Sequence, residues 1–161
     1  MRIPGWAQGR PLSSDLYAYD DPKAAAWSVR LAGKTFKAPL EQGFVAITRE
    51  WRPGDVVEID LPMSVHAVQG NPQIAATRGR IAFERGPVVY CVEAENHTFV
   101  PEDVAVSSDA TVVAEARPDL LGGVTVLKID RDDRAGPITA IPYYAWNNRG
   151  LAPMAVWLKR R

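Results

Sequence analysis

Proline and glycine punctuate this chain from end to end, and that spacing limits what it can build. Thirteen prolines and twelve glycines, spread evenly through 161 residues, cut it into short pieces. Helix interiors do not tolerate such interruption. Between the breaks lie runs of strand length: 43–51, 55–63, 79–93, 103–116, 123–130, 138–146 and 154–160. Several alternate, so that Val57, Ile59 and Leu61 share a face and Glu58, Asp60 and Pro62 take the other. Residues 51–55, WRPGD, read as a turn between two such runs, which predicts a hairpin of 44–50 with 56–61 and Ile59 in the core. Within 28–36, SVRLAGKTF reads as strand, Gly-Lys turn, strand. Helical signal is thin. The expected fold is all-β, an antiparallel β-sandwich of jelly-roll type with little helix, over a single domain 1–161.

Charge and composition exclude several classes of function. Nineteen Lys and Arg balance nineteen Asp and Glu, leaving no basic footprint for nucleic acid or an anionic membrane. No apolar run approaches the ~20 residues that span a bilayer. Pro4 and Gly5 stand where an export signal would carry its apolar stretch, which predicts a cytoplasmic protein if the chain is made alone. One cysteine and two separated histidines supply neither an internal disulfide nor a recognisable metal spacing, so no metal or cofactor is expected.

Two stretches concentrate chemistry. In 80–97, RIAFERGPVVYCVEAENH, Gly86-Pro87 breaks the run, and beyond it Val89, Cys91 and Glu93 alternate with Val88, Tyr90, Val92 and Ala94. A strand apolar on both faces belongs in the middle of a sheet, where Cys91 acts as a small buried hydrophobe. Glu93 and Glu95, if both stay on the strand, share a face at ~6.5–7 Å. Paired carboxylates for glycoside hydrolysis need ~5–9.5 Å, so these two are the candidate catalytic pair, with His97 beside Glu95 as a further polar group. The alternative is a solvated strand end, since any carboxylates two apart on a strand fit that spacing. The second stretch, 141–150, gathers Tyr143, Tyr144, Trp146, Asn147, Asn148 and Arg149. Flat rings suit the C–H face of a sugar, and amides with a guanidinium supply donors to its hydroxyls, so these six are the candidate carbohydrate-binding residues. The alternative is a structural corner that ties down the last strands. Trp6, Trp51 and Trp157 read as core or hairpin packing and Trp27 as the exposed aromatic; LLGG at 120–123 reads as a turn.

RIPGWA (2–7), GFVAITREWRPGDVVEIDLPM (43–63), 79–97 and IPYYAWNNRG with MAVWL (141–158) together resemble the C-terminal part of glycoside hydrolase family 127, the β-L-arabinofuranosidase-like enzymes. The resemblance implies β-sandwich segments that follow a large helical (α/α)6 barrel. It places the catalytic zinc-held cysteine and the acid/base glutamate in that barrel, and neither motif matches a position here. His66 stands where the family usually carries an arginine. Two readings follow. One is a carbohydrate-associated module that supports a catalytic barrel or holds glycan. The other is a small stand-alone glycosidase, galactosidase- or arabinosidase-like, working through surface carboxylates. A face shaped for a barrel predicts self-association as a homodimer when the barrel is absent.

Overall fold

The structure, a computed structural model, describes residues 1–23, 26–96, 98–107, 109–131 and 136–161. Residues 1–63 contribute β1 (Tyr17–Tyr19), β2 (Ser28–Leu31), β3 (Lys34–Thr35), β4 (Leu40–Glu41), β5 (Phe44–Val45) and β6 (Val57–Asp60). Beyond them come β7 (Val65–Gly70), β8 (Arg80–Arg85), β9 (Val88–Glu93), β10 (Ala105–Val106) and β11 (Val112–Arg117). The last four are β12 (Val124–Ile129), β13 (Ile138–Pro142), β14 (Met154–Ala155) and β15 (Leu158–Arg160). Among the described residues the helical elements are 3-10 turns of at most four residues. The fold is all-β, as the punctuation predicts.

The larger sheet runs β1-β7-β8-β9-β13-β12-β11. β8 and β9 form a tight hairpin across Gly86-Pro87, with Glu84 opposite Val89 and Arg85 opposite Val88. Gly86 has φ +56, and a Cβ there would come within 2.9 Å of the Met63 side chain, so glycine is required twice over. Away from that turn the two strands part, and the C-terminal residues fill the gap. β14 pairs with β9 through Met154 and Glu93, while β15 pairs with β8 through Leu158 and Ile81. β10 runs parallel to β15, and the other ladders are antiparallel.

Both faces of this sheet are covered. Tyr90 and Val92 join Ile81, Phe83, Leu127, Ile129 and Ile138 in one cluster, which Val104, Val106 and Leu158 complete. Cys91 joins Val126, Ile141 and Ala145 on the other face, under Trp146, Leu120 and Met154. This is the two-sided burial expected of the VVYCVE strand, and it follows from strict alternation along β9, β12 and β13.

The 51–55 turn does not join the hairpin that sequence pattern predicts. β6 pairs with β2, Ile59 opposite Val29, and β5 pairs with β4. Ile59 is 41% exposed rather than in the core, and Trp51 projects outward with the Arg49 guanidinium 5.5 Å from its ring centre. Alternation finds strands but not partners, and β2 offers a longer matching edge than the two-residue β5. The β2–β3 hairpin expected over 28–36 forms, with its turn at Ala32-Gly33, one residue earlier than the Gly-Lys turn expected, and Lys34 in β3. Trp27, expected outside, packs with Trp6, Phe36 and Leu61 around Ile3, Ala7 and Val45. That cluster draws only on residues 1–63. β1 crosses from this segment to become an edge strand of the larger sheet, and Tyr19 is buried there against Val68 and Ala82.

Candidate functional site

Glu93 ends β9 and is the one charged residue buried among the described residues. Its carboxylate is committed on both oxygens. Oε1 accepts the backbone N–H of Asn147 at 3.0 Å, and Oε2 accepts from Arg149 Nη2 at 2.5 Å. The loop that reaches Glu93 starts where Pro142, which has no N–H to extend the ladder, closes β13. A 3-10 turn over Tyr143–Ala145 follows, and Asn147 then takes φ +66, a left-handed conformation that asparagine tolerates. Asn148 Nδ2 donates to Ala145 O at 3.0 Å, and Trp146 Nε1 donates to Ala152 O at 3.3 Å. Ala94 N donates to Pro153 O, so the loop is tied to β9 at both ends.

The predicted binding cluster is therefore brought together, with Arg149 turned in to Glu93 while Asn147 and Asn148 are exposed. The Asn147 backbone N–H and the Arg149 guanidinium bond Glu93, while the Asn148 amide and the Trp146 ring nitrogen donate to carbonyls within the loop. Tyr143 and Tyr144 remain exposed, Tyr143 stacking on Trp146 with ring centres 6.2 Å apart. The carboxylate pair does not keep the geometry its spacing suggested. The strand stops at Glu93; Glu95 lies on a 3-10 turn, Ala94–Asn96, and is exposed. The strand-rise distance thus does not apply to the pair, and the two carboxylates occupy unlike surroundings. His97 lies outside the described residues.

Cys91 sits on the same face as Glu93, buried and free. Burial, helped by the charge of Glu93, pushes its thiol up to about 12. A thiolate nucleophile needs the opposite setting. Among the described residues no three His, Cys, Asp or Glu side chains gather as a metal site requires, and no helix is long and apolar enough to cross a membrane.

A second polar cluster was not legible in the sequence. Tyr19 on β1 donates its hydroxyl to Glu84 on β8, and its ring stacks on His66 of β7, centres 4.2 Å apart and 13° from parallel. His66 and Glu84 are cross-strand partners. Burial raises the Glu84 carboxyl above its ordinary value, partly offset by the Tyr19 bond, and burial lowers the His66 imidazole against a pull from Asp21. Burial, then Glu84, raises the Tyr19 phenol. Beside them is a hollow of about 220 Å³ lined by Leu12, Tyr17, Val89 and Trp157, almost wholly apolar apart from Glu84. Three strands meet here, and only their pairing register would have revealed it.

The description of the glycoside hydrolase family 127 C-terminal domain matches residues 65–159. This chain belongs to glycoside hydrolase family 127. Residues 1–63 match the beta-L-arabinofuranosidase family 127 middle domain, so the chain carries regions of the family's middle and C-terminal domains. The two matches meet between β6 and β7, a boundary that the cluster of Tyr19, Val68 and Ala82 crosses. A non-reducing end β-L-arabinofuranosidase of Bifidobacterium longum subsp. longum is 32% identical over 99% of the chain, which covers 25% of that relative. A solved family 127 β-arabinofuranosidase superposes with a TM-score of 0.90 at 37% identity, over 99% of this chain and 27% of that one. A family 127 β-L-arabinofuranosidase from Geobacillus stearothermophilus T6 gives 0.79 at 32% identity, over 99% and 26%. The chain thus spans about a quarter of the length of these family 127 relatives.

Proposed function

We propose that this chain is the non-catalytic β module of a family 127 glycosidase acting on β-L-arabinofuranosides, folded to support a separate catalytic domain. One observation carries the reading. Glu93, one of the two candidate catalytic carboxylates, is buried and bonded to Asn147 N and Arg149, which suits a carboxylate that holds a loop. The fraction of each relative that the chain covers supports it, because about three quarters of each relative lies outside the match.

Any glycan contact made by the module falls to the exposed rings of Tyr143 and Tyr144. The apolar side chains of Trp51, Val56 and Ile59 are also exposed, and in isolation they close against a second copy to give a homodimer. Light scattering at increasing concentration reads that association directly, and a monomer throughout removes it. The catalytic assignment is tested by hydrolysis of a nitrophenyl β-L-arabinofuranoside by the purified chain. The expected rate is that of buffer. Turnover that disappears in Glu93→Gln or Glu95→Gln, with the thermal melt unchanged, overturns the proposal.

A further inference from the structure

Tyr144 is 69% exposed and faces a shallow hollow of about 440 Å³ against the turn end of the β11–β12 hairpin. Ala116, Arg117, Pro118, Gly123, Val124 and Thr125 line the rest. The volume falls within the range of small-ligand sites. Arg117 is held flat by two parallel bonds to Asp119, Nε to Oδ1 at 2.9 Å and Nη2 to Oδ2 at 2.7 Å. Those bonds use two of the five N–H donors of a guanidinium and leave lone pairs on both carboxylate oxygens. The pair therefore presents donors and acceptors together in one pre-set plane.

We propose that this hollow binds one sugar ring of a glycan, its C–H face on Tyr144 and its hydroxyls on Arg117 and Thr125. The inference rests on the carbohydrate reading above and relocates its charged donor, because the Arg149 guanidinium is bonded to Glu93 and the Asn148 amide to Ala145 O. The chemistry selects a sugar over a purely apolar ligand. A sugar hydroxyl both donates and accepts, so it needs mixed partners beside an aromatic face, and the hollow beside Tyr144 has both. The hollow beside Trp157 offers one carboxyl already bonded to Tyr19 and is lined mostly by apolar groups. The 144-side hollow also opens directly to solvent, as a site on a long glycan must.

Titration of the isotope-labelled chain with methyl β-L-arabinofuranoside, and separately with methyl β-D-galactopyranoside, reads the site by amide shifts. The expected result is a shift cluster at Arg117, Gly123, Thr125 and Tyr144. Tyr144→Ala should weaken it about tenfold, equivalent to about 1.4 kcal/mol, with the melt unchanged because the side chain is exposed. Arg117→Gln should weaken it as well. Shifts centred elsewhere, for instance around Trp146, overturn this site while leaving a carbohydrate-associated module intact. No shift with either sugar, or full affinity in Tyr144→Ala, also overturns it. Neither result bears on whether the module supports a catalytic domain, which the truncation of a relative tests separately.

Discussion

Arg149 closes on Glu93 across 56 residues of sequence, Nη2 to Oε2 at 2.5 Å, and the carboxylate it reaches is 2% exposed. The contact joins the end of β9 to the loop that feeds β14. An ion pair removed from water is weak evidence of net stability, but losing one partner leaves an uncompensated buried charge. Arg149→Met should therefore cost about 3–5 kcal/mol in urea unfolding. Glu95→Gln, on the exposed turn, should stay within ~0.5 kcal/mol. Equal small costs would mean that Glu93 is not the strut described.

Cys91 should be chemically silent in the folded chain. Its thiol is buried and pushed up to about 12, so almost no thiolate exists at neutral pH. Iodoacetamide should label it only after denaturant is added. Rapid labelling of the native chain, with the melt unchanged, would contradict the burial.

The Tyr19 cluster makes stability depend on pH through two opposed groups. The lowered His66 contributes stability present above about 6.5 and lost as pH falls through its depressed value. The raised Glu84 contributes stability present below about 4.5 and lost as pH rises through its elevated value. On acidification from neutrality His66→Phe should gain stability relative to the parent chain, and Glu84→Gln should lose it. Thermal melts at neutral and mildly acidic pH measure the difference. Variants that track the parent would show that neither group is perturbed.

Ile59 and Ile3 test how the first segment is built. Ile59→Ala should cost about 1 kcal/mol or less, because the side chain is 41% exposed. Ile3→Ala should cost about 2–5 kcal/mol, since Ile3 is fully buried with Ala7 and Val45. β1 belongs to this segment in sequence and to the larger sheet in space, which leads us to expect one unfolding transition for the whole chain. Two transitions resolved by calorimetry would show that β1 does not couple them.

These residues also show where the sequence could be read and where it could not. Alternation and turn residues reveal that β2, β6, β8, β9, β12 and β13 exist, because a strand's faces are written in its own residues. Pairing is a property of two distant segments. Hence the pattern of β6 does not reveal β2 as its partner, and the Tyr19–Glu84–His66 cluster, which needs the β1–β7–β8 register, is invisible in sequence. Burial of Cys91 was legible from its neighbours on both faces. The fate of Glu93 was not, since nothing local says that Arg149 will return to it. The aromatic-amide stretch 143–149 was found, but which atoms face solvent depends on the left-handed turn at Asn147.

The most direct test of the module's role is removal of the matching quarter from the Bifidobacterium longum relative, followed by kcat/KM on a nitrophenyl β-L-arabinofuranoside and a thermal melt. A supporting module predicts that the truncated enzyme melts at a lower temperature, or fails to fold, and loses activity in step. A truncated enzyme that matches the full-length protein in both melt and kcat/KM would contradict the account.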